Sequence, residues 1–167
     1  MHALYVASVF VHILAAMTWL GGMFFLVLVV VPWLRGSGGV DAAKFLRETG
    51  MRFRDVGWAC FVLLVVTGTF NLYVRGVRLG DFTDETWLAS DYGRVIVAKL
   101  GLFVLVLVNS AVHDFVIGPR ATTAIALSPT SSASAALRKK ASMLCRMNVV
   151  FGLVIVLLAV FIVRGVP

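Results

Sequence analysis

His12–Pro32 reads HILAAMTWLGGMFFLVLVVVP, a run with neither an acid nor a base after its opening histidine. Taken with its flanks it extends from Leu4 to Leu34, and three further apolar stretches follow at Gly57–Val74, Val95–Ile117 and Leu144–Val163. A helix that crosses a bilayer needs about 20 predominantly apolar residues, and each stretch meets that length. Backbone polar groups in lipid must be satisfied within the segment itself, so the expected fold is all-α: an integral membrane four-helix bundle. The four spans use most of the 167 residues, and the whole chain reads as a single transmembrane domain, 1–167, without a soluble catalytic module.

Composition agrees with lipid as the solvent. Hydrophobic residues make up 60% of the chain and charged residues 14%, against about 25% charged in an ordinary soluble domain. The net charge of +7 does not point to nucleic acid. The basic residues sit at the ends of apolar spans, and no basic face interleaved with aromatic residues is present. The first span continues well past a signal-peptide core and reads as a retained helix.

The charges also predict orientation. Arg35, Lys44, Arg47, Arg52 and Arg54 follow the first span; Arg120, Arg138, Lys139, Lys140 and Arg146 lie around the third connection. The second connection holds Arg75, Arg78 and Arg94 together with Asp81, Asp84, Glu85 and Asp91. Connections rich in Lys and Arg stay cytoplasmic. Both termini and the acidic second connection are therefore expected on the outer side of a cell inner (plasma) membrane. The first connection is expected to carry a short amphipathic helix on the inner surface, with Phe45, Leu46 and Phe53 towards lipid or protein. The Ser- and Ala-rich LSPTSSASAALRKK reads as a flexible linker followed by a basic anchor.

Polar groups within a span are costly and need a partner or a task. Helical spacing puts Ser8, His12, Ala15, Trp19 and Met23 on nearly one face of the first span. His12 is either a metal or haem ligand or a hydrogen-bonded interhelical histidine. Cys60, Thr67 and Asn71 share a face of the second span, a pattern typical of interhelical contacts. Lys99, Val106, Ser110 and His113 share a face of the third, with Asp114 beside His113 and expected to pair with Arg120 or Arg146. Lys99 either reaches the headgroups along its own stem or meets an anionic or metal-bound group.

Depth along the helices sorts these residues into two sets. His12, Asn71 and Lys99, with Trp19 and Met23 lining, form a candidate outer site. His113 lies about 21 Å further along the axis than Lys99. With Cys60 and Cys145 it forms a candidate inner soft-metal site, since thiolate and imidazole suit Cu(I). No cysteine or histidine spacing of a known metal motif supports that second site.

HILAAMTWLGGMFFLVLVVVP, RFRDVGWACFVLLVVTGTFNLY and GRVIVAKLGLFVLVLVNSAVHDFVIGPR resemble CopD-like membrane proteins, the copper resistance D domain family. The resemblance covers three of the four helices and implies a membrane role in copper handling, with copper as the ion; from the residues, the metal or haem ligand candidates are His12 and, at the inner site, His113. The His12…Trp19-x-x-Gly22 pattern, with Lys99 entering the third helix, is also similar to HemJ-type protoporphyrinogen oxidases. That similarity implies haem b, with His12 as axial ligand and Lys99 as ligand or propionate partner. A third reading is a structural membrane subunit without a ligand. The expected partners are the lipid bilayer and a second copy of the chain, whose contact would be the small-residue face of the first helix.

Overall fold

In the computed structural model, residues 1–36, 42–128 and 131–165 are described. Four helices are long and apolar enough to cross a membrane: α1 (His2–Trp33), α2 (Arg47–Val74), α3 (Asp91–Ile125) and α4 (Ser132–Arg164). Among the described residues there is no strand. α1 packs along α2 and α3 along α4, and α1 also meets α4. The helices alternate in direction. One end of the bundle therefore gathers both chain termini and the 75–90 connection, and is called the termini end below.

Large apolar side chains cover the outside: Leu4, Phe10, Met17, Phe25, Leu28, Val62, Val66, Val104, Val108 and Val160 are all exposed. That distribution is stable in lipid and would be untenable in water. Inside, Ala15, Trp19, Met23, Cys60, Phe61, Leu64 and Val106 form one buried apolar cluster. Trp19 stands at its centre, its ring 5.2 Å from that of Phe61. Small residues admit the indole. A Cβ at Gly57 would lie 3.5 Å from it, and one at Gly152 would lie 3.2 Å from it.

Three features differ from the sequence reading, each for a local reason. First, the expected surface helix in the first connection is the beginning of the second spanning helix, which runs unbroken over Ala42–Val74. Phe53 packs against Gly22 of α1, so that its apolar face meets protein. Phe45 stacks edge-on to Trp33 at 6.2 Å; the Leu46 side chain lies outside the described residues. Second, most of the expected linker is helical. Ser131 caps α4 by accepting the Ser134 amide at 3.2 Å, as an N-cap serine does. The Ser134 hydroxyl in turn reaches the carbonyls of Ala124 at 2.8 Å and Ser128 at 2.7 Å. Side-chain hydrogen bonds of serine thus close a tight helical hairpin where composition alone suggested flexibility.

Third, α1 and α3 each widen into one π-helical turn, at Leu26–Val30 and His113–Ile117. Each turn contains the residue four before a proline, Leu28 before Pro32 and Phe115 before Pro119. Proline brings no N–H to that carbonyl and its ring presses against it; a wider turn relieves both problems without breaking the helix. Gly118 is part of the same solution, because a Cβ there would come 2.9 Å from the His113 carbonyl oxygen.

The termini end is closed by ordered short elements. Gly76 turns the chain out of α2 at φ +88, a conformation that favours glycine. A 3-10 turn at Leu79–Thr83 and a helix at Glu85–Ala89 follow. Ser90 then caps α3 by accepting the Gly93 amide at 3.1 Å.

Candidate functional site

Between the four helices, in the half nearest the termini, lies a cavity of about 470 Å³. This is the size range of small-molecule sites, and the space between helices of a bundle is a usual place for one. Its floor is Trp19, Leu20, Leu64, Phe103 and Gly152, and its walls are largely Val, Ile, Leu and Ala. Five polar side chains interrupt that lining: Tyr5, His12, Asn71, Arg75 and Lys99.

His12 is held in one orientation. Its Nδ1 lies 2.8 Å from Thr67 Oγ1, and Thr67 Oγ1 lies 2.5 Å from the Leu63 carbonyl. A carbonyl can only accept, so the one hydroxyl proton of Thr67 goes to Leu63. The hydroxyl oxygen must then accept from His12, and the imidazole proton is on Nδ1. That leaves the Nε2 lone pair without a partner among the described residues, so the fixed tautomer is the one a ligand or an acceptor at Nε2 requires. Gly68 makes room for the ring: a Cβ there would sit 3.3 Å from His12 Cε1. Ser8 adds a bond of 3.5 Å to the Thr67 carbonyl, one turn above His12.

The other polar groups are less satisfied. The amide oxygen of Asn71 is buried without a hydrogen-bond partner. Lys99 makes no hydrogen bond or ion pair with a described residue, and it stands within electrostatic reach of both His12 and Arg75. Arg75, just past the end of α2, donates through Nε to the Tyr5 hydroxyl at 3.0 Å. That bond, with a further contribution from Tyr92, holds the guanidinium above its ordinary pKa, so it is charged at every working pH.

His12, Trp19, Asn71 and Lys99 thus line one cavity. Met23 does not: it is buried in the apolar cluster beyond Trp19. The sequence reading passed over Arg75, Tyr5 and Gly68. Arg75 lies outside the apolar window and reads as an interfacial anchor. Gly68 stands three residues before Asn71, a spacing that could have marked a face kept open for a large neighbour.

The opposite half of the bundle is built differently. His113 Nδ1 lies 2.8 Å from Asp114 Oδ1, and Trp58 donates its indole N–H to Asp114 Oδ2 at 3.0 Å. Asp114 therefore pairs with His113 and Trp58 and not with Arg120 or Arg146. The two donors are half-buried and meet the half-buried carboxylate, whereas Arg120 and Arg146 are exposed. Next to this group, Asn109 donates to Asn148 at 2.7 Å and to the Leu144 carbonyl at 2.8 Å. Asn148 donates on to Ser110 at 2.8 Å. Cys60 and Cys145 are free thiols against the central apolar cluster. Among the described residues, no three His, Cys, Asp or Glu side chains stand together as a metal-ion site.

Four helices long and apolar enough to span a membrane, packed around an apolar cavity with one oriented imidazole, define a class: small multi-pass membrane proteins. Residues 47–162 match the family described as Copper resistance protein D, and the chain belongs to that family. The matched segment contains Asn71, Arg75 and Lys99 and does not include α1 with His12. An uncharacterized protein of Aquifex aeolicus (strain VF5) is 35% identical over 113 residues, covering 67% of this chain and 69% of its own length. No solved structure matches the chain.

Proposed function

We propose that the protein works through the cavity at the termini end, as a binding site for a metal held in a large apolar chelate, with His12 Nε2 as the protein ligand. The observation that carries this reading is the oriented imidazole beside a cavity of about 470 Å³. Residues that fix a ring nitrogen through a hydrogen bond at the other nitrogen are the usual support of a metal ligand. A bare copper ion suits the cavity poorly. Its lining offers one imidazole and the Met17 thioether, beside the two cations Lys99 and Arg75. Cu(I) asks for several soft ligands, and neighbouring positive charge opposes any metal cation.

Haem b suits the same residues better. The apolar walls would take the ring, His12 would hold the iron, and Lys99 would lie at the polar edge. Bound there, the haem iron would supply one-electron redox chemistry. The chain's own contribution is to hold the imidazole in one tautomer, exclude water from the ring face and set the charge around the site. Copper homeostasis or transport remains a second reading, favoured by the family to which the chain belongs. In both readings the whole chain acts as one domain in a cell inner membrane, with the termini end outside, as the basic residues of the first and third connections favour.

The test is purification of the full chain in a mild detergent. A red protein with a Soret band and about one iron per chain is expected. A colourless protein with stoichiometric copper would overturn the haem reading in favour of the copper one. A colourless protein without metal would overturn both.

A further inference from the structure

Resting on the reading of the cavity as the ligand site, we propose that the cavity selects an apolar molecule bearing two acidic groups, with Arg75 and Lys99 as the cations that recognise them. The lining holds two basic side chains and, among the described residues, no aspartate or glutamate. Neither cation has an ion-pair partner among the described residues. This is not for want of acids at that end of the bundle. Asp81 accepts the Arg78 amide at 2.7 Å. Asp84 caps the helix at Glu85–Ala89. Asp91 lies 3.9 Å from Arg94. Each of these carboxylates is engaged by groups close to it in the chain, and none of the three lines the cavity.

Two like charges within electrostatic reach of each other, at the edge of an apolar space, destabilise the empty site. An occupant that brings two negative charges removes that repulsion and supplies both missing partners. The two cations also divide the task by position. Lys99 lies within the helix, nearer the floor, and offers a point charge. Arg75 lies at the mouth, where its Nε is tied to Tyr5. Tyr92 holds a further part of the guanidinium, and the remaining N–H groups of Arg75 can engage a carboxylate, for which the planar group is suited. Asn71, with a buried amide oxygen lacking a donor, would accept from any hydroxyl or N–H the ligand presents.

The experiment uses the full chain in detergent and a metal-free probe, so that axial ligation plays no part. Protoporphyrin IX, a diacid, is titrated in parallel with its dimethyl ester, which has the same ring and no charge. The diacid is expected to bind at least tenfold more tightly, with a preference that falls as salt is raised. Arg75→Gln and Lys99→Gln should each remove about tenfold of that preference and leave ester binding within twofold; Arg75→Lys should restore part of it. Because the probe carries no metal, the ratio is read independently of the ligand role of His12. Equal binding of diacid and ester, a ratio unmoved by either substitution, or no binding of the diacid would each overturn it, whatever the colour of the purified protein.

Discussion

The two halves of this bundle carry similar residues to opposite ends. Opposite the termini, a histidine, an aspartate, a tryptophan, two asparagines and a serine join in short chains of hydrogen bonds. They leave no buried side-chain atom unpaired among the described residues. Nearest the termini, a histidine, an asparagine, a lysine and an arginine stand around open space, and the one buried side-chain atom unpaired among the described residues is there, on Asn71. In lipid an unsatisfied polar group has no water to turn to. The satisfied half therefore reads as the part that fixes the packing of α3 on α4, and the unsatisfied half is where the proposed ligand site lies. A histidine alone does not distinguish them; what its neighbours leave free does.

Exchanging the two histidines should break the symmetry most strongly. His12→Ala is expected to abolish the bound chromophore or metal, while His113→Ala keeps full occupancy, both measured by absorbance and metal content per chain. Retained occupancy in His12→Ala would place the ligand elsewhere. The support of His12 can be probed separately. Thr67→Val keeps the side-chain shape and removes the acceptor of the Nδ1 proton; a loss of about 10- to 100-fold in ligand affinity is expected, the usual effect of deleting the group that orients a metal-ligating histidine. Thr67→Ser should retain most of the affinity.

The paired half should answer to stability in place of binding. Asn148→Leu leaves the Ser110 hydroxyl oxygen without its donor and one side-chain amide N–H of Asn109 without its acceptor. A loss of about 1–2 kcal/mol is expected, read from reversible unfolding in mixed micelles, because interhelical hydrogen bonds in membranes contribute modestly and an orphaned group adds to the cost. Ligand affinity should not change. A change in affinity as large as that of Thr67→Val would mean the two halves are coupled.

Much of this division is visible in the sequence, and the exceptions have physical causes. Apolar length sets the four helices, because the bilayer fixes how long a span must be. Helical spacing turns Ala15, Trp19 and Met23 inward, and depth groups His12 with Asn71 and Lys99. What spacing cannot supply is whether a polar residue meets a partner. Asp114 has arginines near it in sequence, yet it meets an indole from a helix that begins more than 50 positions earlier. Arg75 lies one residue beyond the apolar run and looks like an anchor until Tyr5, 70 positions away, brings it over the mouth. The Ser-rich connection misleads because serine hydroxyls, which resemble linker residues in composition, close helix ends when a carbonyl or amide is within reach.

The smallest expected effect lies in the 75–90 connection at the termini end, and it tests whether that connection is ordered by local bonds alone. Asp84 accepts the amide of Thr86 at 2.8 Å and its hydroxyl at 2.6 Å, and the amide of Trp87 at 3.4 Å. The Thr86 hydroxyl first, then the two amides, hold its carboxyl below the ordinary aspartate pKa. A carboxyl depressed in the folded state contributes its stabilisation in full above its unfolded pKa, about 3.9, and loses it as the pH falls through the folded value. Amide exchange at Thr86 and Trp87 should therefore be protected at neutral pH and lose protection only on acidification below about pH 4. Asp84→Asn keeps the cap and should flatten that dependence. Asp84→Ala should remove protection at all pH values while leaving α3 and the cavity residues unchanged, because Ser90 caps α3 independently. Loss of ligand affinity in Asp84→Ala would show that this connection and the cavity form one cooperative unit.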